Sequence, residues 1–212
     1  MRLYLSSYGL GNHPEHLLSL VGTFRRAVVI GNAIDFRDLK ERKESMEGTF
    51  QALQQIGFKV TELDLRQFFY RPQRLEKEFE NVSLIWVRGG NSFLLRRAMK
   101  QSGFDECLKR LLKKDRVVYG GYSAGAVVVG DSLRGIELVD DPHQISEGYQ
   151  QEVIWDGIGL LDFSIAPHYQ SSHPESQAVD QVIDYYRNHN RTFKALRDGE
   201  ALIVQSKKVC IV

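Results

Sequence analysis

The sequence predicts an α/β fold: a doubly wound, mostly parallel sheet with helices on both faces and a C-terminal β-hairpin. Three observations carry this. Apolar runs at 26–30 (RAVVI), 83–87 (SLIWV) and 116–119 (RVVY) are continuous rather than alternating, as strands covered on both faces are. Stretches with helical spacing separate them, which gives the β-α-β-α rhythm of a parallel sheet. The chain then closes on short apolar runs at 193–196, 200–204 and 209–212, joined by tight-turn residues.

Taken in order, Leu3-Tyr4-Leu5 opens a short strand that ends at Ser6, Ser7 and Gly9. After the strand at 26–30, residues 37–56 place Leu39, Met46, Phe50, Leu53 and Ile56 among charges, which is one apolar helix face, and Gly57 stops it. Phe58 to Leu63 alternates as a strand does, and 72–80 forms a short polar helix. The strand at 83–87 runs into Arg88-Gly89-Gly90-Asn91, and a long helix over 92–114 follows, with a break expected near Gly103. The strand at 116–119 enters Gly120-Gly121-Tyr122-Ser123, and 124–129 reads as a helix start. Residues 131–160 are loop-rich. Phe163 to Ala166 is a strand ending at Pro167-His168, and 174–188 is an amphipathic helix. No repeat, low-complexity stretch or linker divides the chain, so residues 1–212 read as one α/β domain.

Composition narrows the function. The chain has 212 residues, 42% hydrophobic and 26% charged, as ordinary globular proteins do. With 28 basic and 27 acidic side chains the net charge is +1, which argues against nucleic-acid binding driven by bulk charge. No apolar stretch approaches 18 residues, so no membrane partner is expected. Cys107 and Cys210 have no metal-ligand spacing and read as reduced thiols of a cytoplasmic protein. No metal or other cofactor is expected.

The chemistry centres on Gly121-Tyr122-Ser123-Ala124-Gly125, a G-x-S-x-G pattern between a strand and a helix start. A nucleophilic serine must project its Oγ while neighbouring N–H groups stay free for an oxyanion. The sharp turn that does both crowds the backbone, hence the small residues around Ser123. A glycine-rich ligand loop with an incidental serine would look similar. A serine also needs a base. Of six histidines, His168 directly follows an apolar strand, and reactive groups in open parallel sheets gather at the carboxyl ends of strands. His173 is second choice. Candidate acids are Asp198, Glu200 and Asp162. Gly89-Gly90-Asn91 allows close backbone approach to a ligand at a helix start, with Asn91 or Ser92 as helix cap.

These motifs are specific in combination. Gly89-Gly90-Asn91 with Phe93 and Leu94-Leu95, then Gly-Tyr-Ser-Ala-Gly-Ala at 121–126, then Pro167-His168-Tyr169, resemble the peptidase E family, the aspartyl dipeptidases related to cyanophycinase. The resemblance implies a serine-dependent peptidase acting on short peptides through an acyl-enzyme, without a cofactor. It implies Ser123 as nucleophile, His168 as base, and Gly90 and Ala124 as backbone oxyanion donors. The family's acid is a glutamate in a Leu-x-Glu-Gly turn. Here that position is Asp198, with Glu200 as the alternative. Three glycines usually precede the asparagine, whereas this chain has Arg88-Gly89-Gly90, so Arg88 and Asn91 are placed as substrate-binding residues. Residues 131–160 have no clear counterpart, so they are expected to shape substrate choice. Aspartate preference is not carried over. Competing readings are another amide or ester hydrolase on this fold, or a non-catalytic small-molecule binding protein. Monomer and homodimer remain equally open.

Overall fold

The computed structural model describes residues 1–206 and 208–212. In chain order its elements are β1 (Arg2–Ser6), α1 (Pro14–Val21), β2 (Arg26–Ile30), α2 (Leu39–Gln55), β3 (Lys59–Glu62), β4 (Leu84–Val87), α3 (Ser92–Ser102), α4 (Phe104–Lys113), β5 (Val118–Tyr122), α5 (Ala124–Val127), β6 (Ser164–Ala166), α6 (Ser176–Asn188), β7 (Phe193–Ala195), β8 (Ala201–Gln205) and β9 (Lys208–Ile211). Seven strands form one sheet in the order β3-β2-β4-β5-β1-β8-β9. The first five are parallel, while β8 and β9 run antiparallel as the terminal hairpin.

Side-chain alternation explains why these strands read as unbroken apolar runs. Leu3, Leu5, Val28, Ile30, Ile85, Val87 and Tyr119 point into the core under α3, α4 and α6. Their neighbours Tyr4, Ala27, Val29, Leu84, Trp86 and Val118 point into a second core under α1 and α2. A strand with a helix layer on each face has no polar side to show.

Several helix ends follow their sequence signals. Asp38 caps α2 by accepting from Glu41 N at 2.9 Å, and Asn91 caps α3 by accepting from Leu94 N at 2.9 Å. The expected long helix is two. Gly103 takes φ +72°, a left-handed conformation that ends α3 and starts α4. The stretch at 72–79 is a 3-10 helix.

One placement differs from the sequence expectation. β6 does not join the main sheet. It pairs with β7 as a separate two-stranded parallel sheet, Ser164 opposite Phe193 and Ala166 opposite Ala195. The terminal hairpin is therefore β8–β9 alone. The loop-rich segment is well tied down. Arg97 donates to the carbonyls of Glu152 (2.9 Å) and Pro142 (2.8 Å), and Arg96 pairs with buried Asp105 at 2.9 and 3.0 Å while reaching Asp156 O. Arginines on a buried helix hold this segment by its backbone, which is why no strand or helix pattern marks it.

Candidate active site

β4, β5 and β1 are adjacent and parallel, so their carboxyl ends open on one edge of the sheet. Arg88-Gly89-Gly90-Asn91 leaves β4, Ser123 leaves β5, and Ser6-Ser7 closes β1. The turn at Ser123 is strained: φ is +49° and ψ −119°, a region non-glycine residues seldom occupy. Its neighbours make the strain possible. A Cβ on Gly121 would lie 2.8 Å from Val87 O, and one on Gly125 would overlap that same carbonyl. The Ser123 N–H donates to Ser7 O at 3.1 Å, and Tyr119, fully buried, donates its hydroxyl to Gly125 O at 2.7 Å. The turn is thus gripped from the strands on both sides.

Gly89 packs on the other side of Ser123, where a Cβ would stand 2.9 Å from the serine Cβ. Gly90 takes φ +143°, and a Cβ there would meet Ala33 O at 2.5 Å. Ala124 is the first residue of α5, so its N–H has no carbonyl within the helix to bond. The Asn91 amide is occupied at both ends: its oxygen caps α3, and its nitrogen donates to Asp141 O at 2.8 Å. Asn91 therefore holds the 131–160 segment in place, with one amide hydrogen and one oxygen lone pair engaged, while it also lines the cleft.

His168 is buried, 1% exposed, with φ +62°. Its Nδ1 lies 2.7 Å from Asp198 Oδ1. The small parallel sheet makes this contact. His168 follows β6 and Asp198 follows β7, so two parallel neighbours end on the same side, and Tyr169 N to Leu196 O (2.9 Å) continues the pairing past the strands. The expectation that His168 reaches the Ser123 edge holds, but through this side sheet rather than through a strand of the main one. Glu200 faces elsewhere. Its carboxylate accepts from Arg197 N at 2.8 Å and closes the turn. Asp162 is exposed at the other end of β6.

Since a carboxylate only accepts, Nδ1 carries the proton and Nε2 is the acceptor. Nε2 is buried and has no hydrogen-bond partner among the described residues. Ser123 and His168 line the same cleft of about 530 Å³. Burial, foremost, holds the His168 pKa below the usual imidazole value, and the nearby His173 adds to this, while Asp198 opposes both.

Ser7, Asp140 and Glu175 are not among the site candidates the sequence offers, whereas His173, its second choice of base, is. Ser7, buried at the end of β1, accepts from His168 N (2.8 Å) and donates to Asp198 Oδ1 (2.8 Å). Its position at a strand's carboxyl end was the available clue. His173 stacks on His168, with ring centroids 3.7 Å apart. Asp140 and Glu175 line the cleft with Ser123. Burial raises both carboxyls, Asp140 to about 6, although Asp140 also accepts from Ser92 N at 2.8 Å.

His168, His173 and Glu175 offer ligand atoms all within 4.8 Å of one another, a grouping that spacing alone does not suggest. The two imidazole planes are only 12° from parallel. Ring lone pairs lie in the ring planes, so these two do not converge on one point, and His168 Nδ1 is already committed to Asp198. The trio does not fit a metal as it stands. No helix among the described residues is long and apolar enough to cross a membrane.

A mostly parallel α/β sheet with a strained serine between strand and helix, beside a buried histidine–aspartate pair, has the architecture of serine hydrolases. Comparison with known proteins then gives the family. A model of peptidase family S51 matches residues 15–212, and the chain belongs to that family, the peptidase E family of serine peptidases. An uncharacterized peptidase of Listeria monocytogenes is 25% identical over 164 residues, 77% of this chain and 76% of that one. A Drosophila melanogaster protein named "Probable alpha-aspartyl dipeptidase" is 26% identical over 166 residues, 76% of this chain and 63% of that one. A crystal structure of a Listeria monocytogenes EGD-e protein superposes with TM-score 0.82 at 22% identity, covering 100% of this chain and 97% of that one.

Proposed function

We propose that this serine peptidase hydrolyses short peptides with a free N-terminus, in dipeptidase fashion, through an acyl-enzyme on Ser123. One observation carries the reading. The strained Ser123 shares its cleft with His168, whose Nδ1 is engaged by Asp198 and whose Nε2 is left as a buried, unpartnered acceptor. That is the arrangement a general base requires.

In the proposed cycle Ser123 Oγ attacks the scissile carbonyl and His168 Nε2 takes its proton. Asp198 keeps the imidazole in the required tautomer and stabilises the imidazolium. The backbone N–H groups of Gly90 and Ala124 receive the developing oxyanion, each such donor being worth roughly 3 kcal/mol of barrier. His168 then protonates the leaving amine. Water, deprotonated by the same nitrogen, releases the acyl group. Burial of His168 keeps it neutral, hence able to accept, at and below neutral pH.

The relative named as an alpha-aspartyl dipeptidase supports the short-peptide class. Preference for an N-terminal aspartate is not part of the proposal. The pocket behind Ser123, between Val127, Ile136, Val179 and Val182, carries Asp140 and Glu175 and, among the described residues, no lysine or arginine. An acidic side chain would meet like charge there.

The test is a dipeptide library scored by residue at each position, run beside denatured casein and a serine-reactive fluorophosphonate. Release of amino acids from dipeptides, with labelling at Ser123, is the expected outcome. Cleavage of casein at internal bonds, or a Ser123 inert to the probe while activity persists, would reject the reading.

A further inference from the structure

Beside His168, whose free Nε2 the proposed cycle uses, Arg88 is a residue of the cleft with unmet side-chain demands. Its Nε and Nη1 are buried without a hydrogen-bond partner, and its guanidinium forms no ion pair among the described residues. The side chain is held under the Tyr122 ring, with the guanidinium carbon 6.0 Å from the ring centroid. Arg88 as a whole is half-buried, but two buried N–H groups left without a partner are costly, and an anion that accepts from them recovers that cost. Arg88 and Ser123 line the same cleft, so that anion would share it with the reacting bond.

The surroundings say which anion. Arg88 lines the cleft and also an adjoining cavity of about 300 Å³, together with Leu10, Thr49, Ala52, Trp86 and Tyr122. Among the described residues Arg88 is the sole charged side chain of that cavity, and no carboxylate lines it. A second cation, Arg37, stands on the cleft and donates to Ser45, which lines both spaces. Asp140, Asp141 and Glu175 line the same cleft, and Asp140 and Glu175 also line the pocket behind Ser123, which neither arginine lines. The cleft thus carries both signs, and the two spaces that open from it divide them: carboxylates line the pocket behind the serine, and Arg88 lines the adjoining cavity. A dipeptide has the matching polarity: its ammonium lies one carbon before the scissile carbonyl and its carboxylate shortly after.

The geometry points to Arg88 as the receptor of the substrate's terminal carboxylate, with the departing residue's side chain against Ala52, Trp86 and Tyr122. This rests on the short-peptide reading above and adds to it the end of the substrate that is recognised. A planar guanidinium matches a carboxylate through paired N–H groups, which an amide or a following residue cannot reproduce. Arg88 would thus both select free C-termini and keep the enzyme from working into longer chains.

Calorimetric titration of the Ser123→Ala protein, which should bind without turnover, tests this with Ala-Leu and Ala-Leu-amide. The free acid should bind about tenfold tighter or more. Adding Arg88→Gln should level the two ligands, and Arg88→Lys should restore part of the preference, with circular dichroism checking that each variant is folded. Equal or undetectable binding of both ligands overturns the inference, as does a preference that survives Arg88→Gln. The two readings fail separately. A preference for the acid in a protein whose Ser123 form hydrolyses no dipeptide would keep the carboxylate site and sink the peptidase proposal. Hydrolysis without the preference would do the reverse.

Discussion

His173 lies flat against His168, their planes 12° apart and their centroids 3.7 Å apart, with Tyr8 packed against both rings. The Nδ1 of His173 accepts from Glu175 N at 3.3 Å, so its proton sits on Nε2 when it is neutral. Two imidazoles this close cannot both be charged cheaply, and the proposed cycle charges His168. Burial chiefly lowers the acid limb of activity, and His173 should lower it further. Removing it by His173→Phe keeps a flat ring but takes away the like charge, so the His168 pKa should rise and the acid limb of kcat/KM should move to higher pH. A pH–rate profile of both proteins checks this. A limb that stays in place would mean that burial alone sets it.

Asp198→Asn should act in the opposite direction on the same limb. The carboxylate raises the His168 pKa, so its loss lowers it. It should also cut kcat by about 10⁴, as loss of the tautomer-fixing acid does in related triads. Glu200→Gln keeps an acceptor for Arg197 N and should stay within a few-fold of the parent. A dead Glu200→Gln beside an active Asp198→Asn would reverse the assignment.

Ser123→Gly should abolish hydrolysis and raise stability. Glycine relieves a φ of +49°, ψ −119° that costs a serine of order 1–3 kcal/mol. Urea unfolding measures it, and a variant less stable than the parent would show that the turn is not strained.

Gly125→Ala tests why the turn needs glycine. The added methyl would overlap Val87 O, backbone of a central strand that cannot yield. A loss of about 3 kcal/mol or more is expected, at the upper end of single substitutions. Gly148→Ala has open space at its Cβ and a φ of +83°, so it should cost only the strain, about 1 kcal/mol. Comparable losses for the two would remove the overlap argument.

Asp140 gives a stability signature. Its folded pKa, about 6, lies above the ordinary carboxyl value, so the folded state holds the proton longer than the unfolded one. Its contribution is therefore present below about pH 4 and is lost as pH rises through about 6. Asp140→Asn, which cannot ionise and keeps an acceptor for Ser92 N, should flatten melting temperature against pH between 4 and 7. An unchanged profile would show that the carboxyl is solvated in solution.

The sequence by itself determined what local rules can see. Continuous apolar runs marked β2, β4 and β5 as covered on both faces, and small residues around Ser123 marked a turn no larger side chain fits, because each depends on immediate neighbours. The order of motifs at 89–91, 121–126 and 167–169 also sufficed to name the family. Which groups meet was decided only by the tertiary structure. Asp198 and not Glu200 faces His168 because β6 and β7 pair in parallel outside the main sheet, and no periodicity within either strand specifies its partner. Asn91 is bonded to Asp141, Ser7 bridges His168 and Asp198, and His173 lies on His168 through contacts spanning 5 to 191 positions. Arg88 reads from the sequence as a departure from a glycine. That its Nε and Nη1 end buried and unpartnered in the cleft of Ser123, against the Tyr122 ring, follows from packing, and packing is a property of the whole fold.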